Sequence, residues 1–302
     1  MPASLKVALL SLLGGGALLG LSTNFAKLAG EAGLPALAFL AWSLAGATAI
    51  LLGAALWRRD LPPLTARTTE YILIAAFVTS AAPNLIFFSA VPHVGASFVA
   101  LAITLPPLLT WLGALALRME RFDTVRLAGV LAALAGAGVL AVSKLRAPDG
   151  SVFWVSLTLV GPVLLAVGNL YRSARWPDGV SGEALAAGML VAATAMLFLA
   201  GMIPGFSLRV PADAGIWPFA LIVLQALAFA GQFQLIFVLQ RTGGPVLLSL
   251  LGAIGAVVGV PVAVLLLGEA PPGGLALGAS LVALGVALVT VGGLRQRQRQ
   301  DP

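Results

Sequence analysis

The chain has no cysteine, a single histidine at His93, and only 9% charged residues in a length of 302. The missing cysteines exclude disulfides, thiolate metal sites and a cysteine nucleophile together. One histidine leaves no His pair at helical spacing to hold a metal, and no Ser/His or paired-carboxylate constellation is legible for an intramembrane hydrolase. Polar surface is also too scarce for a soluble catalytic domain of any size. Neither an enzyme nor a metal or other cofactor is expected.

What the chain has is apolar length. With 60% hydrophobic residues, it divides into ten stretches long enough to cross a bilayer, near residues 5–29, 35–57, 70–91, 94–117, 124–143, 152–172, 182–203, 214–239, 244–268 and 272–293. Only Val91-Pro92-His93 separates the third stretch from the fourth. The first run continues through Lys27 without a cleavage end, so it reads as a helix and not as a removed signal. Positive residues resist translocation and therefore test the count. With ten helices and an inner N-terminus, one side holds only Lys27, Lys144, Arg146 and Arg209, and the other holds the remaining 13 of the 17 Lys and Arg. Fusing the third and fourth stretches destroys that asymmetry. The expectation is an all-α integral membrane protein with both termini at the cytoplasmic face of a bacterial inner membrane. The tail Arg295-Gln296-Arg297-Gln298-Arg299-Gln300 follows the last span directly, so it anchors that span against anionic lipid heads, and no nucleic-acid or obligatory protein partner is expected.

Five spans precede the joint at Ala147-Pro148-Asp149-Gly150 and five follow it, dividing the chain into 1–147 and 148–302. An odd number per half inverts the second relative to the first. At an offset of 149, Glu120 answers Glu269, Gly129 answers Gly278 and Gly136 answers Gly285, while Gly95 answers Gly243 at 148 and Asn24-Phe25 lines up with Asn169-Leu170. The ordered set predicts a 5+5 inverted repeat with a substrate site near the midplane and alternating access by rocking helices.

Intramembrane ionisable groups mark ion and substrate paths. All eleven acidic residues fall in joints or at helix ends, leaving no central carboxylate for proton coupling. The candidates are therefore neutral. Ser97, Thr104 and Trp111 recur every seven residues and would share a stripe of the fourth span, either lining a cavity or with the hydroxyls bonded back to their own helix and Trp111 at an interface. Gln225 and Gln232 share a stripe with Phe229 between them, whereas Gln234 points away. An unpaired amide in hydrocarbon costs several kcal/mol, so Gln225 and Gln232 face inward, onto a substrate or a neighbouring helix. Asn24 continues a Gly16, Gly20 stripe, Asn169 adjoins Gly168, and Asn84 follows Pro83 and precedes Phe87 and Phe88. Each of these amides serves helix packing or a ligand. Gly252, Gly255 and Gly259 form a bare face for close packing or sliding, and Pro106, Pro162, Pro218 and Pro261 offer bends. His93 sits at a joint, where it is solvated or senses pH, and Lys27 is expected to snorkel.

The segments Gly20-Leu21-Ser22-Thr23-Asn24-Phe25 with Lys27, Ala90-Val91-Pro92-His93-Val94-Gly95-Ala96-Ser97, Leu105-Pro106-Pro107-Leu108-Leu109, Glu120, Gly129 and Gly136 resemble the repeat unit of the drug/metabolite transporter superfamily, EamA type. Gly243-Gly244-Pro245, Pro261, Leu267-Gly268-Glu269, Gly278 and Gly285 repeat the pattern. Two positions depart from it: Ala41-Trp42-Ser43 lacks the Arg common in the second helix, and Met119 replaces the usual Gly before Glu120. The resemblance implies a ten-helix inverted-repeat exporter of metabolites, and the chain as a whole is most similar to the bacterial aromatic amino-acid exporters. The expected partners are an amino-acid-like small molecule and membrane lipid. Export by facilitation or exchange is expected. A carrier for sugar nucleotides or lipid-linked substrates is the alternative, although phosphate would call for basic residues inside the cavity. A channel would need a charged ring or an ordered carbonyl loop, and neither is evident.

Overall fold

The computed structural model describes residues 3–147, 151–211, 215–242 and 250–298, which hold helices and turns and no strand. The helices are α1 (Ala3–Glu31), α2 (Ala36–Arg58), α3 (Ala66–Ala76), α4 (Ala82–Val94), α5 (Ala96–Ala102), α6 (Pro106–Ala116), α7 (Thr124–Leu145), α8 (Val152–Arg175), α9 (Gly182–Ala200), α10 (Trp217–Thr242), α11 (Leu251–Pro261) and α12 (Leu275–Gln298). A π turn at Phe77–Ala81 joins α3 to α4, and another at Val262–Leu266 extends α11. Among the described residues, nine segments are long and apolar enough to cross a membrane, and Leu251–Leu266 forms a shorter apolar tenth.

Local chemistry sets the boundaries. The third span starts at Ala66, four residues earlier than expected, because Thr65 caps it by accepting from the Thr68 amide. Asp123 does the same for α7 through the Arg126 amide at 2.8 Å. The joint between the third and fourth spans is not at Val91–His93. Pro92 and His93 lie within α4, and the break is the single residue Gly95, whose φ of 89° suits a residue without a Cβ. Gly243, Gly244 and Pro245, the matching motif of the second half, lie outside the described residues.

The fourth span is also interrupted. Pro106 has no N–H and opens α6 as its first residue, while Ile103 to Leu105 form a turn carried by Thr104 N–H to Leu101 O and Leu105 N–H to Ala102 O. The seven-residue spacing of Ser97, Thr104 and Trp111 therefore does not make a single stripe, since that reading required an unbroken helix. Thr104 is buried with its hydroxyl donating to Leu101 O at 2.7 Å. Trp111 is buried among Val130 of α7 and Val286 of α12, with the Arg126 guanidinium 5.9 Å from its ring centroid.

Packing runs through bare glycine faces. α1 lies along α10 and α11, α2 against α9 and α10, α4 against α8, and α7 against α12. A Cβ on Gly259 would stand 2.9 Å from Gly20 O, and one on Gly255 3.3 Å from Gly16 O, so the α11 stripe is a close-packing face for α1. Gly252 meets a different neighbour: its Cβ would sit 2.6 Å from Ile103 O, at the turn ahead of Pro106. Pro162 is buried inside α8 next to Gly161, where the Phe87 ring fills the space a side chain would need. Pro261 closes α11 immediately before the π turn. Between α7 and α12, a Cβ on Gly129 would lie 2.7 Å from Gly285 O and one on Gly136 2.6 Å from Gly278 O. The rising number on one helix against the falling number on the other makes this an antiparallel seam. Leu10, Trp57, Val257, Leu265 and Leu266 are exposed and form part of the surface that hydrocarbon covers.

Candidate substrate site

The buried polar groups of the interior collect on α1 and on the helices flanking it. Ser22 Oγ donates to Leu18 O at 2.9 Å, which commits its proton, so it accepts from Gln225 Nε2 at 3.0 Å. That contact fixes which end of the Gln225 amide is nitrogen. Its Oε1 remains, in a side chain that is fully buried, with no hydrogen-bond partner. Asn24, two residues from Ser22, faces the other flank: its Nδ2 donates to Gly20 O at 2.9 Å and to Gly259 O at 3.1 Å, leaving Oδ1 buried and unpartnered. Gln232, two turns beyond Gln225, also buries its Oε1 without a partner. Each such carbonyl costs about 1–3 kcal/mol relative to a satisfied one.

Phenyl rings lie along the same helices. Phe39 of α2 stacks on Phe88 of α4 at 5.7 Å, Phe88 on Phe229 of α10 at 6.1 Å with planes 9° apart, and Phe229 reaches Phe233 at 6.5 Å. Phe229 falls between Gln225 and Gln232, so α10 presents amides and rings on one stripe. Ser43, one turn from Phe39 on α2, adds a fully buried hydroxyl with no partner. Sequence reasoning missed Ser22 and Ser43 because an isolated serine in an apolar helix carries no signal of its own. Gln234 instead lines a separate, partly open cleft with Leu51, Arg58, Asp60 and Glu183.

The other expected amides are tied to neighbouring backbone or side chains. Asn84 Nδ2 returns to Ser80 O at 2.8 Å, inside the π turn that precedes it. Asn169 Nδ2 crosses from α8 to Thr110 Oγ1 of α6 at 3.3 Å. Five amides were expected as substrate-binding groups, Asn24, Asn84, Asn169, Gln225 and Gln232, with Thr104 and Trp111 beside them. The geometry brings Gln225 and Gln232 onto one ring-lined stripe, puts Asn24 and Asn169 on helix crossings, and turns Thr104 and Trp111 elsewhere. Among the described residues, no cluster of His, Asp and Glu could hold a metal.

Residues 6–142 match the EamA-like transporter family. No curated protein matches the chain. A solved structure described as a crystal structure of a protein superposes with a TM-score of 0.63 at 22% sequence identity, covering 95% of this chain and 98% of that one. That likeness establishes the fold. An EamA-like segment and nine described segments long and apolar enough to cross a membrane are together consistent with a multi-pass membrane protein.

A second polar cluster ties the EamA-like segment to the distal part of the chain. Glu269 Oε2 accepts from Ala96 N–H at 2.9 Å, its Oε1 accepts from Ser97 N–H at 3.2 Å and from the Ser97 hydroxyl, and Lys27 Nζ stands 3.7 Å from Oε2. Lys27 also donates to Leu267 O at 3.2 Å, so it is tethered and does not snorkel. The carboxylate occupies the space that a Cβ on Gly95 would take, which explains that glycine independently of its φ. Nearby, His93 is exposed at one edge and stacked on Trp154 at 4.0 Å.

Proposed function

We propose that the protein exports small amphipathic metabolites, amino acids and particularly aromatic ones, by alternating access between two inverted five-helix halves. The observation that carries this reading is the α10 stripe, with Gln225 and Gln232 carbonyls on either side of Phe229 and the Phe39–Phe88 stack beside it. Buried carbonyl oxygens without partners suit an ammonium donor, and phenyl faces suit an aryl or alkyl side chain. The reading assigns the ammonium end of a zwitterion to Gln225 and Gln232, with Ser43 within the same wall. Asn24 and Asn169 hold helix crossings, and Asn84 shapes the third span.

The antiparallel glycine seam supports the inverted repeat, because Gly129 meets Gly285 and Gly136 meets Gly278, each glycine contacting the counterpart of the other. The positive-charge asymmetry supports a cytoplasmic location for both termini. Glu269, with its Lys27 and backbone partners, lies at the far end of its span from the midplane, so transport runs down the substrate's own gradient or by exchange. Efflux from proteoliposomes preloaded with labelled amino acids, with and without an imposed proton gradient, tests this. Efflux of neutral and aromatic amino acids that ignores the gradient is expected. No efflux of any amino acid would overturn the substrate class, and strict proton dependence would overturn the mechanism.

A further inference from the structure

The repeat offsets, read against the contacts, separate two ends of the molecule that ought to be alike. Asn24 and Asn169 correspond at an offset of 145, as do Lys27 and Arg172, while Thr110 and Gly259, and Glu120 and Glu269, correspond at 149. At the first level the contacts obey this equivalence: Asn24 bridges α1 to Gly259 of α11, and Asn169 bridges α8 to Thr110 of α6. Three residues further along each leading helix they do not. Lys27 is closed onto Glu269 and Leu267 O. Arg172 is not closed onto Glu120, whose carboxylate is held by Arg126 at 3.1 Å. The Arg172 Nε is buried without a hydrogen-bond partner, with Tyr71 as its neighbour.

We infer that Lys27–Glu269 and Arg172–Glu120 are two reciprocal latches, at opposite faces of the membrane, of which one is closed in each access state. The inference rests on the inverted-repeat reading of the proposed function. In the state seen here the Lys27 latch holds α1 against the end of the ninth span, and its carboxylate draws in the start of α5. The outer face is shut. At the inner face the Asn169–Thr110 bridge near the middle is made and the charged pair at the end is not, as two helices splayed toward the cytoplasm would leave them. When the outer latch opens, rocking about the two amide bridges carries Arg172 to Glu120, and Glu120 exchanges Arg126 for Arg172. Arg126 keeps the Trp111 ring, 5.9 Å from its guanidinium, so the exchange does not strand it in hydrocarbon. A charged pair suits the outer latch because Lys27 and Glu269 are only 17% and 11% exposed, so truncating one leaves the other largely buried and unpaired, which makes the closed state distinct rather than graded. The backbone donors of Ala96 and Ser97 add charge-assisted hydrogen bonds to the outer latch.

The absence of cysteine makes the test direct. Spin labels at Glu31→Cys and Pro271→Cys report the outer gap between the first and ninth spans, and labels at Ser173→Cys and Arg121→Cys report the inner gap between the sixth and fourth. All four sites are exposed. Distances are read by pulsed electron resonance in lipid nanodiscs without substrate, so the result does not depend on what the protein carries. Glu269→Gln should lengthen the outer distance and shorten the inner one, changing the ratio of the two populations by at least about 10-fold. Adding Arg172→Gln in that background should abolish the inner shortening. Lys27→Arg, which keeps a cation opposite the carboxylate and leaves the backbone donors of Ala96 and Ser97 their acceptor, should retain the original outer distance and guards against simple misfolding. An outer distance unchanged by Glu269→Gln, or an inner shortening that survives Arg172→Gln, overturns the latches. If they hold while the efflux assay finds no amino acid carried, the substrate reading fails alone.

Discussion

A methyl group at Gly20 provides a sharp test of how α1 is held. The Cβ of Gly20→Ala would fall on the Gly255 carbonyl and lie 2.8 Å from Gly259 N, so neither neighbour is a side chain that can rotate away. α1 and α11 must part by about 1 Å to accept it, an overpacking cost of about 1–3 kcal/mol. The Asn24 Nδ2 bond to Gly259 O, one turn further on at 3.1 Å, stretches beyond hydrogen-bonding length and removes about 1 kcal/mol more. Against this, alanine gains about 0.5–1 kcal/mol over glycine in a helix. The net loss is roughly 1–3.5 kcal/mol. Gly255→Ala is the control: the nearest atoms to its Cβ are Gly16 O and the Leu19 side chain at 3.3 Å, so the helical gain offsets most of the crowding. Thermal unfolding of the purified protein in detergent, followed through its six tryptophans, should show Gly20→Ala melting several degrees below wild type and Gly255→Ala close to it. Equal melting of Gly20→Ala and wild type, or a larger loss at Gly255, would refute the backbone contact and with it the role of Asn24 as a crossing residue.

Gln225→Leu should cut amino-acid efflux at least about 10-fold with little change in melting temperature, because removing a buried carbonyl that has no partner offsets the lost Nε2 bond to Ser22 Oγ, about 1 kcal/mol. Gln232→Ala should also lower flux at constant protein level, and Asn84→Ala should lower it through loss of the bond to Ser80 O, with unchanged flux in both discarding their roles. Gly95→Ala should destabilise by about 1–2 kcal/mol from its positive φ alone, with more from the displaced Glu269 carboxylate, as measured by the same unfolding experiment. Efflux rates should be indifferent to an imposed proton gradient, which a flux assay with and without a protonophore checks.

The spans were legible because a bilayer demands continuous apolar length, and the described residues hold nine such segments with a shorter apolar tenth at Leu251–Leu266. The spacing of Gly129, Gly136, Gly278 and Gly285 singled these residues out, and the structure puts them against each other. What failed depended on contacts that one dimension hides. Thr104 and Trp111 share a stripe only if the helix runs on, and the turn before Pro106 breaks it. Glu269 stood in a joint, which for a carboxylate reads as solvated, yet it is bonded to a backbone 172 and 173 residues away in sequence. Ser22 escaped notice because what distinguishes it is a glutamine 203 residues distant. Helix boundaries shifted wherever a cap or a glycine at positive φ outweighed hydropathy, as at Thr65 and Gly95.

The seam between α7 and α12 has an ancestral corollary. On the proposed inverted-repeat reading, Gly129 meets the counterpart of Gly136 and Gly136 the counterpart of Gly129, an isologous contact of the kind that a half-length chain would make with a second copy of itself inserted upside down. Nothing in that seam needs the link between the halves. Fusion of two such chains would fix their opposed orientations permanently and free each copy to diverge, so that one could keep a lysine where the other came to carry an arginine.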